Sequence, residues 1–391
     1  MTHSPPSARV TALILVISSL TVMANATISP SLPGLARAFS DTPRVETLAG
    51  LVLSLPSLSI VLSAALIGLV LERINWKRVL VSGLVVYALA GASAALMDGM
   101  TGILLSRVGL GLGVAATMTV ATMLAGQLFD GAARDRFMGW QSAAMSGGGI
   151  LFIMAGGALA EISWRGPFLV YLIALPVALL AIVTFRDLDA QPRARAGQSA
   201  AAVFPWAHMA MTGALAFFVM AVFYLIPTKL PFRLEEMGTT SPSAVGLAVA
   251  VMTLAATPGA LLFGRMRSHL SPQAVFAVCF MLMAMGYLTI AMADGYGAVL
   301  LGTVLSGAGL GPTMPNIMSF LMSRIPGPAR GRAAGLVTTA FFAGQFASPL
   351  LGGAMTAQGS LAGTFAIFAA ILLAAAALFL TSAIRAKRVV V

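Results

Sequence analysis

Asp98–Met118, DGMTGILLSRVGLGLGVAATM, is the stretch that decides the fold of this chain. It is a long apolar run that contains a single arginine, Arg107, followed by glycines at every second position from Gly109 to Gly113. The same pattern returns 196 residues later in Asp294–Met314, DGYGAVLLGTVLSGAGLGPTM. Because the two stretches align without a gap, they indicate an internal repeat.

The offset of 196 residues also holds far outside these two stretches. The predicted organisation is therefore two copies of one half in tandem, residues 1–185 and residues 205–391. Residues 186–204, RDLDAQPRARAGQSAAAVF, are polar and rich in small side chains, which is typical of a flexible linker. The further matched segments are Gly50-Leu51 with Gly246-Leu247, Gly68 with Gly264, Ala133–Arg136 with Ala329–Arg332, and Gly156-Gly157 with Gly352-Gly353.

The composition excludes a soluble protein. Of the 391 residues 59% are hydrophobic and 9% are charged, whereas soluble domains average about 25% charged residues. The net charge of +11 does not indicate nucleic-acid binding, because the basic residues lie in short loops between apolar runs. The single cysteine, Cys279, excludes an intramolecular disulfide, and the three histidines are too far apart to suggest a metal site. No cofactor is expected.

Twelve apolar runs are long enough to cross a bilayer, which takes about 20 helical residues. The sequence thus predicts an all-α integral membrane protein with six spans in each half. With an even number of spans, both halves enter the membrane in the same sense and form parallel repeats, which allows a site between them to be reached from either side. The predicted spans are 9–30, 49–71, 79–97, 101–128, 137–160, 167–185, 205–228, 243–264, 273–292, 297–323, 334–357 and 361–383.

Lysine and arginine predict the orientation. With both termini in the cytoplasm, 17 basic residues fall in inner loops and 5 in outer loops, and this bias is the usual topology signal. Residues 9–26 could instead be a secretory signal peptide, but its removal would leave the first half one span short. The basic residues assigned to outer loops are Arg37, Arg44, Arg165, Lys229 and Arg233.

The loop after the second span resembles the loop signature of the major facilitator superfamily. Gly68 takes the glycine place, Glu72 the acidic place, Arg73 the arginine place and Lys77 one basic place, while residues 75–76 depart from the usual pattern. The resemblance implies a gating role, in which the charges pair with other charges or helix ends in one closed state. The glycine would allow close helix packing. The alternative is that the basic residues only anchor the topology.

Three further segments carry the resemblance. Leu105–Gly113 resembles the arginine motif of the family's fourth helix, and Asn25–Pro33 looks like the end of an exporter's first span. Ala155–Ala158 resembles the fifth helix of the drug-exporter, or antiporter, branch, although Phe152-Ile153 stand where that motif has Gly-Pro. The resemblance covers nearly the whole chain. It implies a secondary active transporter that works by alternating access and is not an enzyme.

The candidate substrate-binding residues are mostly uncharged, because no Asp or Glu lies deep in any predicted span. Arg107 is the one candidate cation. It either faces the transport path as a counter-charge, or it extends outward or binds backbone carbonyls of a neighbouring helix. The full set of candidates is Asn25, Arg107, Gln141, Tyr224, Asn316, Phe341 and Gln345.

The predicted function is efflux of a small organic or drug-like solute across the inner membrane of a bacterium. The alternatives are uptake or facilitated transport of a small organic anion with Arg107 as counter-charge, and a membrane receptor that binds without transporting. No nucleotide-binding motif is present, since no strand precedes the glycine runs. The expected partners are the substrate, the lipid bilayer and protons, with no nucleic acid, and the protein is expected to be a monomer.

Overall fold

The computed structural model describes residues 6–186, 188, 205–326 and 329–388, and every regular element in these ranges is helical. The chain divides into two compact units, Met1–Gln198 and Ser199–Val391. The predicted linker, residues 186–204, lies almost entirely outside the described residues. The first unit contains α1 Ala8–Ala26, α2 Leu32–Ala38, α3 Val45–Leu71, α4 Trp76–Ser93, α5 Met100–Leu128, α6 Gly131–Ile162, α7 Gly166–Leu169 and α8 Ala174–Thr184. The second contains α9 Trp206–Glu236, α10 Pro242–His269, α11 Pro272–Ala291, α12 Tyr296–Met322, α13 Arg330–Thr356 and α14 Leu361–Arg388.

Twelve helical segments in the described ranges are long and apolar enough to cross a membrane. The predicted all-α membrane fold with twelve spans is therefore confirmed. Short 3₁₀ turns join helices within some spans: Ser29–Ser31 connects α1 to α2, and Val170–Ile173 connects α7 to α8.

The C-terminal ends of two spans differ from the prediction. The first span extends through α2 to Ala38, and the seventh continues to Glu236 rather than ending at residue 228. Lys229 lies inside α9 with 1% of its surface exposed, so its assignment to an outer loop is wrong. Arg233 also belongs to α9. The predicted span ended too early because hydropathy falls at the two basic residues and at the neighbouring prolines. In the folded unit, burial against other helices keeps this segment helical.

The glycines of α5 allow three helices of the first unit to meet closely. A Cβ atom on Gly113 would lie 2.6 Å from the backbone nitrogen of Tyr87 and 2.8 Å from the carbonyl oxygen of Gly83, both on α4. A Cβ on Gly111 would lie 2.6 Å from the carbonyl oxygen of Pro56 on α3. These distances are shorter than van der Waals contact, so only glycine permits α5 to lie against both neighbours.

The second unit repeats these contacts residue for residue. A Cβ on Gly309 of α12 would lie 2.5 Å from the carbonyl oxygen of Cys279 and 3.0 Å from the backbone nitrogen of Met283. A Cβ on Gly307 would likewise clash with the carbonyl oxygen of Met252 on α10. Each of these residues carries the number of its counterpart in the first unit plus 196. The sequence repeat is therefore also a repeat of helix packing.

A second type of close contact joins the first and fifth spans of each unit. In the first unit, a Cβ on Gly148 of α6 would lie 2.8 Å from Cβ of Ser19 on α1, and Gly156 lies against the backbone of Thr27. Small residues on α6 therefore bring the polar residues of α1 and α6 close together. The equivalents in the second unit are Gly344 against Phe217 and Gly352 against Leu225, which join α13 to α9.

Candidate transport site

Two of the candidate residues lie on the α1–α6 pair of the first unit. Asn25 of α1 is buried, and its Oδ1 has no hydrogen-bond partner among the described residues. Gln141 of α6 donates from Nε2 to Oγ of Ser18 at 2.9 Å, and Ser18 donates in turn to the carbonyl oxygen of Ile14 at 2.8 Å. Because burying an unpaired amide is costly, the oxygen of Asn25 favours a polar ligand or a water at this position.

Arg107 is fully buried inside the first unit. Its Nη2 donates to the carbonyl oxygen of Gly91 at 2.5 Å and, at 3.4 Å, to that of Ala90, both on α4. The guanidinium carbon lies 4.9 Å from the ring centroid of Phe168 and 5.1 Å from that of Tyr171. Hydrogen bonds from a charged donor and two cation–π contacts thus connect α5 to α4 and to the segment that begins with α7.

This geometry favours the carbonyl-binding alternative for Arg107. Gly91 and Ala90 lie on the neighbouring helix, as that alternative requires, and the two aromatic rings replace part of the hydration that a guanidinium loses on burial. The Nη1 atom has no hydrogen-bond partner among the described residues. The role of Arg107 as a substrate counter-charge stays a prediction.

Three more candidates lie on the α9–α13 pair of the second unit, which packs as α1 does on α6. Tyr224 of α9 is buried, whereas Phe341 and Gln345 of α13 are half-buried. Phe341 and Gln345 are four residues apart and therefore share one face of α13. Gln345 Nε2 lies 3.6 Å from the sulfur of Met220 on α9. The structure therefore brings these three residues to one helix pair.

Asn316 lies apart from that helix pair. It is fully buried on α12, and its Nδ2 donates to the carbonyl oxygen of Pro272 at the start of α11, at 2.9 Å. Its Oδ1 has no hydrogen-bond partner among the described residues. One end of the amide therefore holds two helices together, and the other end could accept a hydrogen bond.

The residues predicted to form a gate lie around the end of α3 and the start of α4. A Cβ on Gly68 would meet no atom within 4 Å, so the explanation that this glycine permits close packing is wrong. Glu72 and Arg73 are exposed. Lys77 donates from Nζ to the carbonyl oxygen of Arg186, beyond the end of α8, at 2.7 Å. Within the first unit, the basic cluster thus binds a helix end, and gating stays a prediction.

Two buried ionisable residues of α9, Lys229 and His208, were not among the predicted site residues. The Nζ atom of Lys229 lies 5.9 Å from the ring centroid of Phe232, and the residue is almost completely buried. The Nε2 of His208 lies 3.0 Å from the carbonyl oxygen of Phe320 on α12. An ionisable residue inside a membrane span is by default a functional candidate. For Lys229 the signal was available, because the apolar run continues beyond it to residue 232.

Both halves of the chain match one family model. The model of the Major Facilitator Superfamily matches residues 14–240 and 212–389. The chain belongs to the Major Facilitator Superfamily. It is therefore a multi-pass membrane transporter of small molecules and not an enzyme.

Two curated relatives and one solved structure are similar along most of the chain. The tetracycline resistance protein, class C, of Escherichia coli is 26% identical over 352 residues, covering 87% of this chain and 88% of the relative. The 3-(3-hydroxy-phenyl)propionate transporter of Escherichia coli K12 is 25% identical over 379 residues, covering 90% and 89%. A bacterial homologue of the human lysosomal transporter Spinster has a TM-score of 0.77 at 17% identity, covering 98% of each chain. The predicted resemblance to the drug-efflux branch is confirmed.

Proposed function

We propose that this transporter exports a small organic or drug-like solute by alternating access. The observation that carries the proposal is the similarity to a tetracycline resistance protein over 87% of the chain. Two segments that resemble the exporter branch also support the proposal: Asn25–Pro33 at the end of the first span and Ala155–Ala158 in the fifth span. Protons are the proposed coupling ion.

The proposed substrate-contacting residues are uncharged polar and aromatic side chains on two helix pairs. They are Asn25 and Gln141 on the α1–α6 pair of the first unit, and Tyr224, Phe341 and Gln345 on the α9–α13 pair of the second. Aromatic surfaces with a few amide and hydroxyl groups suit an amphipathic organic molecule, since specificity in such sites comes from few polar groups in apolar surroundings.

The proposed location is the bacterial inner membrane, with both termini in the cytoplasm. The bias in basic residues supports this orientation.

The decisive experiment is transport in everted membrane vesicles from Escherichia coli cells that lack their main drug pumps. Vesicles carrying the protein should accumulate fluorescent or radiolabelled drugs, tetracycline among them, and a protonophore should abolish the accumulation. Tyr224→Ala should reduce accumulation, whereas Leu261→Ala, a change at a largely exposed position of α10 in the same unit, should not. If no compound of a broad panel accumulates above vesicles without the protein, export is refuted.

A second candidate function is the uptake of a small organic acid. It is favoured by the similarity to the 3-(3-hydroxy-phenyl)propionate transporter over 90% of the chain. In this case we propose Lys229 as the counter-charge, because it is an almost completely buried cation on the same helix as Tyr224, whereas Nη2 of Arg107 already binds carbonyl oxygens of α4. Uptake of radiolabelled 3-(3-hydroxyphenyl)propionate by whole cells, lost in Lys229→Gln, would favour this candidate. Binding of a substrate without any flux would instead indicate a receptor.

A further inference from the structure

A groove of about 490 Å³ lies on the first unit, between the start of α4 and the end of α8. Trp76 and Phe185 meet at this end of the two helices, with their ring centroids 5.6 Å apart in an edge-to-face arrangement. The volume lies within the range of sites that hold small organic ligands. The apolar side chains that line the groove are Leu80, Val81 and Val85 of α4, and Ala181, Ile182 and Phe185 at the end of α8.

Two basic residues line one end of the groove. Lys77 and Arg78 line it at the first turn of α4, and Val85 lies about 12 Å further along the helix, at 1.5 Å per residue. Lys77 uses one donor on the carbonyl oxygen of Arg186, which leaves two of its three ammonium hydrogens for a ligand. Arg78 is exposed, and a guanidinium can bind a phosphate through two parallel hydrogen bonds.

The surface around the groove is apolar and exposed. Leu89 of α4 is 56% exposed, and Leu179 and Val183 of α8 are 66% and 75% exposed. In a membrane protein such a surface is covered by lipid tails. The groove therefore combines a positively charged end with an apolar channel that opens towards the lipid, which is the arrangement that binds anionic headgroups between membrane helices.

We propose that this groove binds one phospholipid with an anionic headgroup, such as phosphatidylglycerol. The phosphate lies against Lys77 and Arg78, and one acyl chain follows Val81 and Val85 along α4. In the proposed orientation, this phospholipid belongs to the inner leaflet. The contacts that bind it depend neither on the orientation nor on the transported substrate.

The internal repeat provides a natural comparison. At the offset of 196 residues, Lys77 and Arg78 correspond to Gln273 and Ala274 in the first turn of α11. The second unit therefore lacks the charged pair at the equivalent place. Since the repeat fold forms there without these charges, folding of such a half does not require them, and the pair is available for a ligand.

The test is lipid binding to the purified full chain in a neutral detergent, measured by native mass spectrometry. Phosphatidylglycerol is titrated against phosphatidylcholine with the same acyl chains. The double variant Lys77→Gln with Arg78→Ala installs the residues of the second unit. A Lys or Arg near the membrane surface is worth about fivefold in affinity, so the pair should reduce the preference for phosphatidylglycerol by about 30-fold. If that variant does not purify as a monodisperse protein, Arg78→Gln alone should reduce the preference about fivefold.

Two further variants separate the groove from general surface charge. Arg265→Gln with Arg385→Gln removes two exposed arginines of the second unit and should leave the preference unchanged. Val81→Trp fills the apolar channel and should abolish tight binding although both charges remain. The proposal is overturned if Arg78→Gln keeps the wild-type preference, if the two-arginine control loses as much as the groove variant, or if Val81→Trp binds normally. It is also overturned if inorganic phosphate competes as strongly as the lipid, because the site would then bind a free anion.

Discussion

Replacing Gly113 by alanine tests whether the glycine contacts hold the first unit together. The new Cβ would lie 2.6 Å from the backbone nitrogen of Tyr87, whereas ordinary van der Waals contact begins at 3.4 Å. The two helices must therefore separate by about 3.4 − 2.6 = 0.8 Å at this point. A gap of that size already forfeits about a quarter to a half of the dispersion energy of the atom pairs around it. The neighbouring atoms are backbone atoms and cannot rotate away.

Gly126 provides the matched control on the same helix. A Cβ at Gly126 would meet no atom within 4 Å, so Gly126→Ala introduces no clash. Both substitutions gain up to about 1 kcal/mol of helix propensity, and this term cancels in the comparison. The remaining difference is the cost of overpacking at Gly113, about 1–3 kcal/mol. Gly309→Ala should behave like Gly113→Ala, because it repeats the same contact in the second unit.

The assay is the apparent melting temperature of each variant, followed by size-exclusion chromatography in detergent. The expected order places Gly126→Ala at or above the wild type, with Gly113→Ala and Gly309→Ala below it. Should Gly113→Ala melt at or above the temperature of Gly126→Ala, the close contact between α4 and α5 does not exist as described.

Three further predictions concern single positions. Arg107→Lys should lower the melting temperature, because an ammonium group cannot replace the planar guanidinium between the carbonyl oxygens and the aromatic rings. If the variant instead melts like the wild type but loses transport, Arg107 acts as a counter-charge. Asn25→Cys in a Cys279→Ala background should react with a water-soluble thiol reagent and be protected by substrate, and inertness in every condition would exclude contact with the transport path. Reporter fusions at Gln198 and Val391, which lie outside the described residues, should both report a cytoplasmic location, so alkaline-phosphatase activity at either position would contradict the topology.

The span pattern and the repeat were predictable because both are written along the chain. A run of about 20 apolar residues has few options other than a membrane helix. The recurrence of Gly111 and Gly113 at Gly307 and Gly309 identified the helices that pack most closely. These signals need no knowledge of which residues meet in space.

The environment of the charged residues was not predictable in the same way. The partners of Arg107 include Phe168 and Tyr171, more than sixty positions further along the chain, and no local pattern connects them. Lys229 was assigned to a loop since hydropathy scores a charge as exposed, although the folded unit buries it. Gly68 matched a family signature, but a signature does not show which atoms surround a residue.

The two kinds of glycine contact differ in how much chain they span, and this sets an order for assembly during synthesis. The contacts of Gly113 and Gly111 join α5 to helices that begin at most about 70 residues earlier, so α3, α4 and α5 can associate as soon as α5 enters the bilayer. Gly156 must meet Thr27, which entered the bilayer 156 − 27 = 129 residues before it. Local contacts form before distant ones because closing a short loop costs less entropy. We therefore expect α1 to pair with α6 only after α3, α4 and α5 have associated, and α7 and α8 then complete the first unit. The second unit should follow the same order.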